Sequence, residues 1–252
     1  MKVKDILDRV TTLYNDTEYI RVPESHYFKF IDDALSIIVM IRPDAHVKTE
    51  IVKLEPGTRQ SLPKDGIALI EIYMNKKAIL DNGGEITGYS NSYPIAHVER
   101  EDLDYFSNWQ SGVGIASKDH IDEFAYELKS PRTFWVNPYV SEEEPVYVEM
   151  DYSYAFPKIG DIPMDADSTY TTAENTEIDI PDTFMAPICY YVLYLLYSTD
   201  STSQIDKSIS ASYLQQFQQA LSLEYQSNQT VMPRTDSASI EATIRQQGGS
   251  TN

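Results

Sequence analysis

Residues 178–225 read IDIPDTFMAPICYYVLYLLYSTDSTSQIDKSISASYLQQFQQALSLEY, and this stretch decides the fold. Its first half places Phe184, Ile188, Tyr191, Val192 and Leu195 at i, i+4, i+7, i+8 and i+11, the spacing of one helical face. Asp182 or Thr183 can cap the start, after Pro181 has stopped the preceding segment. Pro187 requires the regular helix to begin near Ala186 or to kink there. The second half puts Ile205, Ile209, Tyr213, Phe217 and Leu221 on one stripe, so a second helix is expected. Ser198 to Ser203 is a short polar connection, which makes the two helices antiparallel neighbours. From Tyr190 to Tyr197 the first helix is apolar or aromatic on every side. That run is far shorter than the roughly 20 residues a bilayer requires. A central helix covered by several neighbours, other copies of the chain included, is the expectation that fits.

Working outward, the chain has 252 residues and 42% hydrophobic content, enough for a substantial core. The single cysteine, Cys189, lies among apolar helix residues and reads as a buried thiol; one cysteine excludes an internal disulfide and a cysteine metal cluster. The opening MKVKDILDRV has acidic residues where a signal peptide needs an apolar core, so no export signal is expected. The net charge is −19, and from Ile159 to Asp206 there is no Lys or Arg at all. This argues against gripping nucleic acid, which relies on cations displacing counterions. An acidic surface serves solubility. The sharper reading is a wall that nucleic acid passes without sticking, because like charge repels it.

The other elements follow in order. Lys2 to Tyr14 is an amphipathic helix with Val3, Ile6, Leu7, Val10 and Tyr14 on one face, ended by Asn15-Asp16-Thr17. A second helix is predicted from Pro23 to Ile41, with one stripe of Phe28, Ile31, Leu35 and Ile38 and another of Phe30, Ala34, Ile37 and Ile41. Past His46 the period changes. Strands are expected at Val47 to Leu54, Ile67 to Tyr73, Ile121 to Leu128, Thr133 to Val136 and Val146 to Ala155, with a hairpin through Ser130-Pro131-Arg132. Turns or loops are expected at Glu55-Pro56-Gly57, at Asn82-Gly83-Gly84, at Ser107 to Ser117 and through Asp161 to Glu177, with a helical turn or two at Glu99 to Phe106. The fold class is therefore α+β. Two N-terminal helices (1–45) and two C-terminal helices (178–225) make a four-helix layer, with a β-rich domain inserted at 46–177, because neither pair covers both its apolar faces alone. Residues 226–252 form an extended tail without aromatics. It reads either as a frayed terminus or as a docking segment anchored by Val231, Met232, Ile240 and Ile244.

No site of chemistry stands out. There is no phosphate-cradling glycine signature, G-x-S-x-G elbow or H-E-x-x-H, and no cofactor is expected. The best local cluster is Asp119, His120, Asp122 and Glu123, the basis of a metal-dependent hydrolase reading. Strand alternation there would send His120 and Asp122 to one face and Asp119 and Glu123 to the other. Nineteen tyrosines with Trp109 and Trp135 support a competing glycan-binding reading of the β domain, although packing also accounts for many of them, Tyr147 and Tyr191 for example.

The opening helix with LYNDTEYIRVPESHYFKFIDDALSIIVMIRPDA resembles the start of head-to-tail adaptor (connector) proteins of short-tailed double-stranded DNA phages. The Asn-Asp turn and the tetrad Arg42, Pro43, Asp44 and Ala45 carry the likeness, as do KSPRTFWVNPYV with PVYVEMDYSYAFP and the closing helix pair. The likeness runs, with gaps, over residues 1 to 225. It implies a non-enzymatic ring of twelve copies seated between the portal protein and the tail nozzle protein, with the tail of the chain reaching the portal. Double-stranded DNA would pass without specific binding, and no membrane is involved. Asp161, Asp165, Asp167, Glu174, Glu177 and Asp179 are the expected channel-facing acids.

Overall fold

In the computed structural model, described for residues 1–105, 109–110, 118–199 and 204–231, the N-terminus is stitched to the segment that leads into the C-terminal helices. The Val3 N–H donates to the Thr176 carbonyl (3.1 Å) and the Ile178 N–H donates to the Met1 carbonyl (2.9 Å). These bonds place the first helix, α1 (Val3–Tyr14), beside the entrance to the C-terminal helices. The predicted face of α1 is buried residue for residue. Asn15 closes it in the left-handed conformation (φ 55°), which asparagine tolerates better than most residues.

Next come α2 (Glu24–Ile41), α5 (Met185–Thr199) and α6 (Gln204–Val231). The helix α5 packs against α1, α2 and α6, which explains its apolar girth. Residues of all four share one cluster, with Tyr14, Phe28, Ile31, Leu35, Val192 and Phe217 among its buried members. Pro187 sits inside the first turn of α5, behind a 3-10 turn at Asp182–Phe184, and the helix continues through it. A proline there forfeits little, because the first-turn N–H groups have no partner within a helix.

Two expectations about faces are corrected. A residue every fourth position advances about 40° around a helix, so Ile205 to Leu221 accumulates about 160° of drift. Accordingly Phe217 and Leu221 are buried, Ile209 and Tyr213 half-buried, and Ile205 exposed. On α2 the second stripe is only partly covered: Ala34 is buried, Phe30 and Ile37 half-buried, and Ile41 exposed. The helix α6 also runs through residues 226–231, beyond the expected end at Tyr225.

Among the described residues the β portion holds eight strands in two four-stranded sheets: β1 (Val47–Lys53), β2 (Gly57–Ser61), β3 (Gly66–Leu80), β4 (Ile86–Pro94), β5 (Ala96–His97), β6 (Glu123–Tyr126), β7 (Thr133–Val140) and β8 (Tyr147–Tyr154). One sheet is ordered β1-β8-β3-β4, the other β2-β7-β6-β5. The expected hairpin is present as the antiparallel pair β6–β7. Leu69, Ile72, Val148, Met150 and Tyr152 from the first sheet share a core with Phe124, Phe134 and Val136 from the second. Buried Asn75 bridges strands by side chain: its amide donates to the carbonyls of Tyr93 (3.0 Å) and Ile121 (2.8 Å) and accepts from the Ile121 N–H (2.9 Å). Two short helices, α3 (Arg100–Leu103) and α4 (Thr171–Glu174), complete the elements among the described residues. The loop expected at 107–117 lies outside the described residues apart from 109–110.

Candidate functional site

The acidic return segment is built on a buried anchor. Asp32, on the inner side of α2, accepts from the Ile159 and Gly160 N–H groups (2.8 Å each), which fixes where the chain leaves the β portion. Burial raises the Asp32 pKa against the pull of these two bonds. Beyond that anchor Asp161, Asp167, Glu177 and Asp179 are exposed. Asp165 and Glu174 are half-buried and already employed. Asp165 accepts from the Thr172 N–H (3.0 Å) and hydroxyl (2.7 Å), which lowers its pKa, and Glu174 lies 3.8 Å from the Lys4 amine. The six acids thus divide into four solvated charges and two that brace the segment. Of the expected tail anchors, Val231 ends α6, and Met232, Ile240 and Ile244 lie outside the described residues.

The segment containing Asp119, His120 and Asp122 precedes β6 and is not a strand, so the expected alternation fails. The bend brings Asp119 to His120 instead: the imidazole Nδ1 is 2.9 Å from Asp119 and its Nε2 is 3.4 Å from Asp122. Contact with His120 lowers the Asp119 pKa. Lys118 and Lys77 neutralise the same carboxylates, and Glu123 accepts from the Asn137 amide (3.0 Å). With both ring nitrogens engaged, the cluster is an ion-pair network. Among the described residues no group of three or more His, Cys, Asp or Glu side chains could hold a metal ion.

The tryptophans are likewise committed. The Arg100 guanidinium lies 4.6 Å from the Trp109 ring and 4.9 Å from the Trp135 ring, and Trp109 donates to Asp104 (3.2 Å). Trp109 is buried by this clasp, which removes it from any sugar-facing surface.

Two turns have a construction that the sequence only hinted at. The Asp16 carboxylate is buried and accepts from the N–H groups of Ile20 (2.8 Å), Arg21 (3.1 Å) and Val22 (3.1 Å) and from the Tyr27 hydroxyl (3.1 Å). It thereby folds the whole α1–α2 connection around one side chain. At the other end of α2, buried Arg42 grips Asp44 through Nε (2.8 Å) and Nη2 (2.6 Å), closing a 3-10 turn at Pro43–Ala45. The Asn-Asp turn and the Arg-Pro-Asp-Ala tetrad are therefore both structural locks on α2. A model of the SU10 adaptor protein family matches residues 1–240. The chain belongs to that family. The likeness to phage head-to-tail adaptors is thus borne out, and the adaptor family is one of structural phage proteins. No curated protein matches the chain.

The exposed surfaces of this adaptor include two that sequence reading did not single out. The outer side of α6 presents Ser208, Ala211, Ser212, Gln215, Gln218, Gln219 and Ser222, an uncharged polar face. Its signal in the sequence is the lack of any charged residue between Lys207 and Glu224. The other surface is the β3–β4 hairpin, whose second strand lies where no element is expected from the sequence, among Gly, Ser and Asn residues.

Proposed function

We propose that this adaptor is a virion component that assembles in the host cytoplasm as a ring of twelve copies, seated between the portal protein and the tail nozzle protein and completing head-to-tail assembly. Residues 1–45 and 178–225 act as one helical domain, a four-helix layer around the DNA channel, and residues 46–177 act as the β domain. Residues 226–252 supply the portal-docking segment, with Val231, Met232, Ile240 and Ile244 as its apolar anchors. The observation that carries the reading is the family match over residues 1–240 in a chain whose two structural locks are the motifs that carry the likeness. The exposed Asp161, Asp167, Glu177 and Asp179 support a channel role, since like charge keeps DNA moving during ejection without specific binding. Asp165 and Glu174 contribute to the same negative potential while bracing the segment.

The test is the mass of the full chain by light scattering, alone and with its cognate portal ring, beside a chain stopped after Val231. Multi-copy binding that requires the portal and fails without residues 232–252 is the expected result. If neither form joins the portal, the ring reading falls.

A further inference from the structure

The strands β3 and β4 form an arm that outruns its sheet. The strand β8 accompanies β3 only to the rung Lys76–Tyr147. From there Lys77 to Leu80 pair with β4 alone, and the arm turns through Asp81–Glu85. Opposed residues of an antiparallel ladder share a face. The rungs Ala78–Tyr89 and Leu80–Ile86 therefore give the arm one apolar side. Among the described residues this side stays largely open: Leu80, Ile86 and Tyr89 retain 58, 43 and 37% of their surface, with Tyr89 tilted against the Tyr147 ring at 5.4 Å. A two-stranded ribbon by itself is marginally stable in water. Its outer strand β4 is a sheet edge, and no Asp, Glu, Lys or Arg occurs from Ile86 to Val98 to discourage pairing.

We propose that the arm joins subunits: β4 of one copy adds, edge to edge, to the free edge of β3 at residues 77–80 in the next. This rests on the ring reading and specifies its contact. Charge selects a second copy as the occupant. Two chains of net charge −19 repel, so they meet where charge is absent or already neutralised. On the arm Lys76 is paired with Glu149 (3.0 Å), Lys77 lies 3.8 Å from Asp119, and Asp81 accepts from the Gly83 and Glu85 N–H groups. A nucleic acid would need free cations, and a basic partner would choose the acidic segment. Geometry agrees with this choice. Neighbours in a large ring differ by a small rotation, so their arms point nearly the same way. The β4 strand then meets the next β3 antiparallel, as within the arm itself.

Two kinds of variant of the full chain test this, with and without the portal ring. Leu80→Glu and Ile86→Glu place a charge on the apolar side. Multi-copy assembly should weaken about tenfold or more while the far-ultraviolet circular dichroism is unchanged. Undiminished assembly overturns the proposal. Should these variants misfold, single-cysteine variants decide. Gly88→Cys meets open space, and the native Cys189 is buried. Ile79→Cys protein mixed with Gly88→Cys protein should give cross-linked dimers with a short bis-maleimide, whereas Gly88→Cys alone should not. Dimers from Gly88→Cys alone would mean two-fold β4–β4 pairing and overturn the proposal. A multi-copy assembly with no mixed cross-link overturns it while leaving the ring intact. A chain that never assembles and never cross-links overturns both.

Discussion

Asp16 concentrates more of the fold in one carboxylate than any other residue described above. Burial pushes its pKa up, but the bonds from Arg21, Val22, Tyr27 and Ile20 outweigh this and leave it below the usual 3.8. A carboxyl lowered on folding stabilises the native state above its unfolded pKa, and that contribution is lost as pH falls through the folded value. Acid unfolding should therefore show a component below pH 3.8 that is absent from Asp16→Asn, as a pH series of urea melts would reveal. Asp16→Ala strands three backbone donors and should cost about 2–3 kcal/mol at pH 7 in the same melts. Cys189 behaves in the opposite way. Burial pushes its thiol up to about 11, so a thiol reagent at pH 8 should leave native protein unmodified and react only as denaturant opens the helices. Rapid modification without denaturant would contradict the buried placement.

At the scale of elements, α6 buries Ser210, Phe217 and Leu221 among its described side chains. It leans on the rest through Phe217, whose ring centre lies 4.9 Å from that of Tyr191, and through Leu221. Phe217→Ala should destabilise by about 3–5 kcal/mol, the range for deleting a buried phenylalanine, measured by urea unfolding. A loss under 1 kcal/mol would show that α6 is held elsewhere. The sequence made α1 legible because its buried face keeps strict helical spacing; it made β7 only half legible because Asn137 and Pro138 interrupt the pattern. The strand β4 was illegible for a physical reason: both of its faces are largely exposed, so no alternation is imposed on it. The short β2 hides in the same way, since its buried positions are polar Thr58 and Gln60, the latter bonded to Glu55 and Gly57. Of the candidate site, the acidic stretch without Lys or Arg was legible. The split between solvated and bracing acids was not, because Asp165 finds its partner seven residues away, and the anchor at Asp32 is set by donors 127 and 128 residues away.

For the whole molecule, assembly with the portal and dependence on residues 232–252 are the measurements that bear on function, and the arm variants separate the ring from its contact. One further property follows from the neck between helices and sheets. There His46 lies stacked between the rings of Tyr154 (3.8 Å) and Phe156 (3.7 Å), its Nδ1 2.9 Å from the Tyr154 carbonyl. The next rung pairs Val47 with Ser153. The insertion therefore departs and returns at adjacent points, so to the helices it is a closed loop whatever its contents. A β unit of another length or specificity could be grafted between residues 46 and 154 with the helical core left as it is.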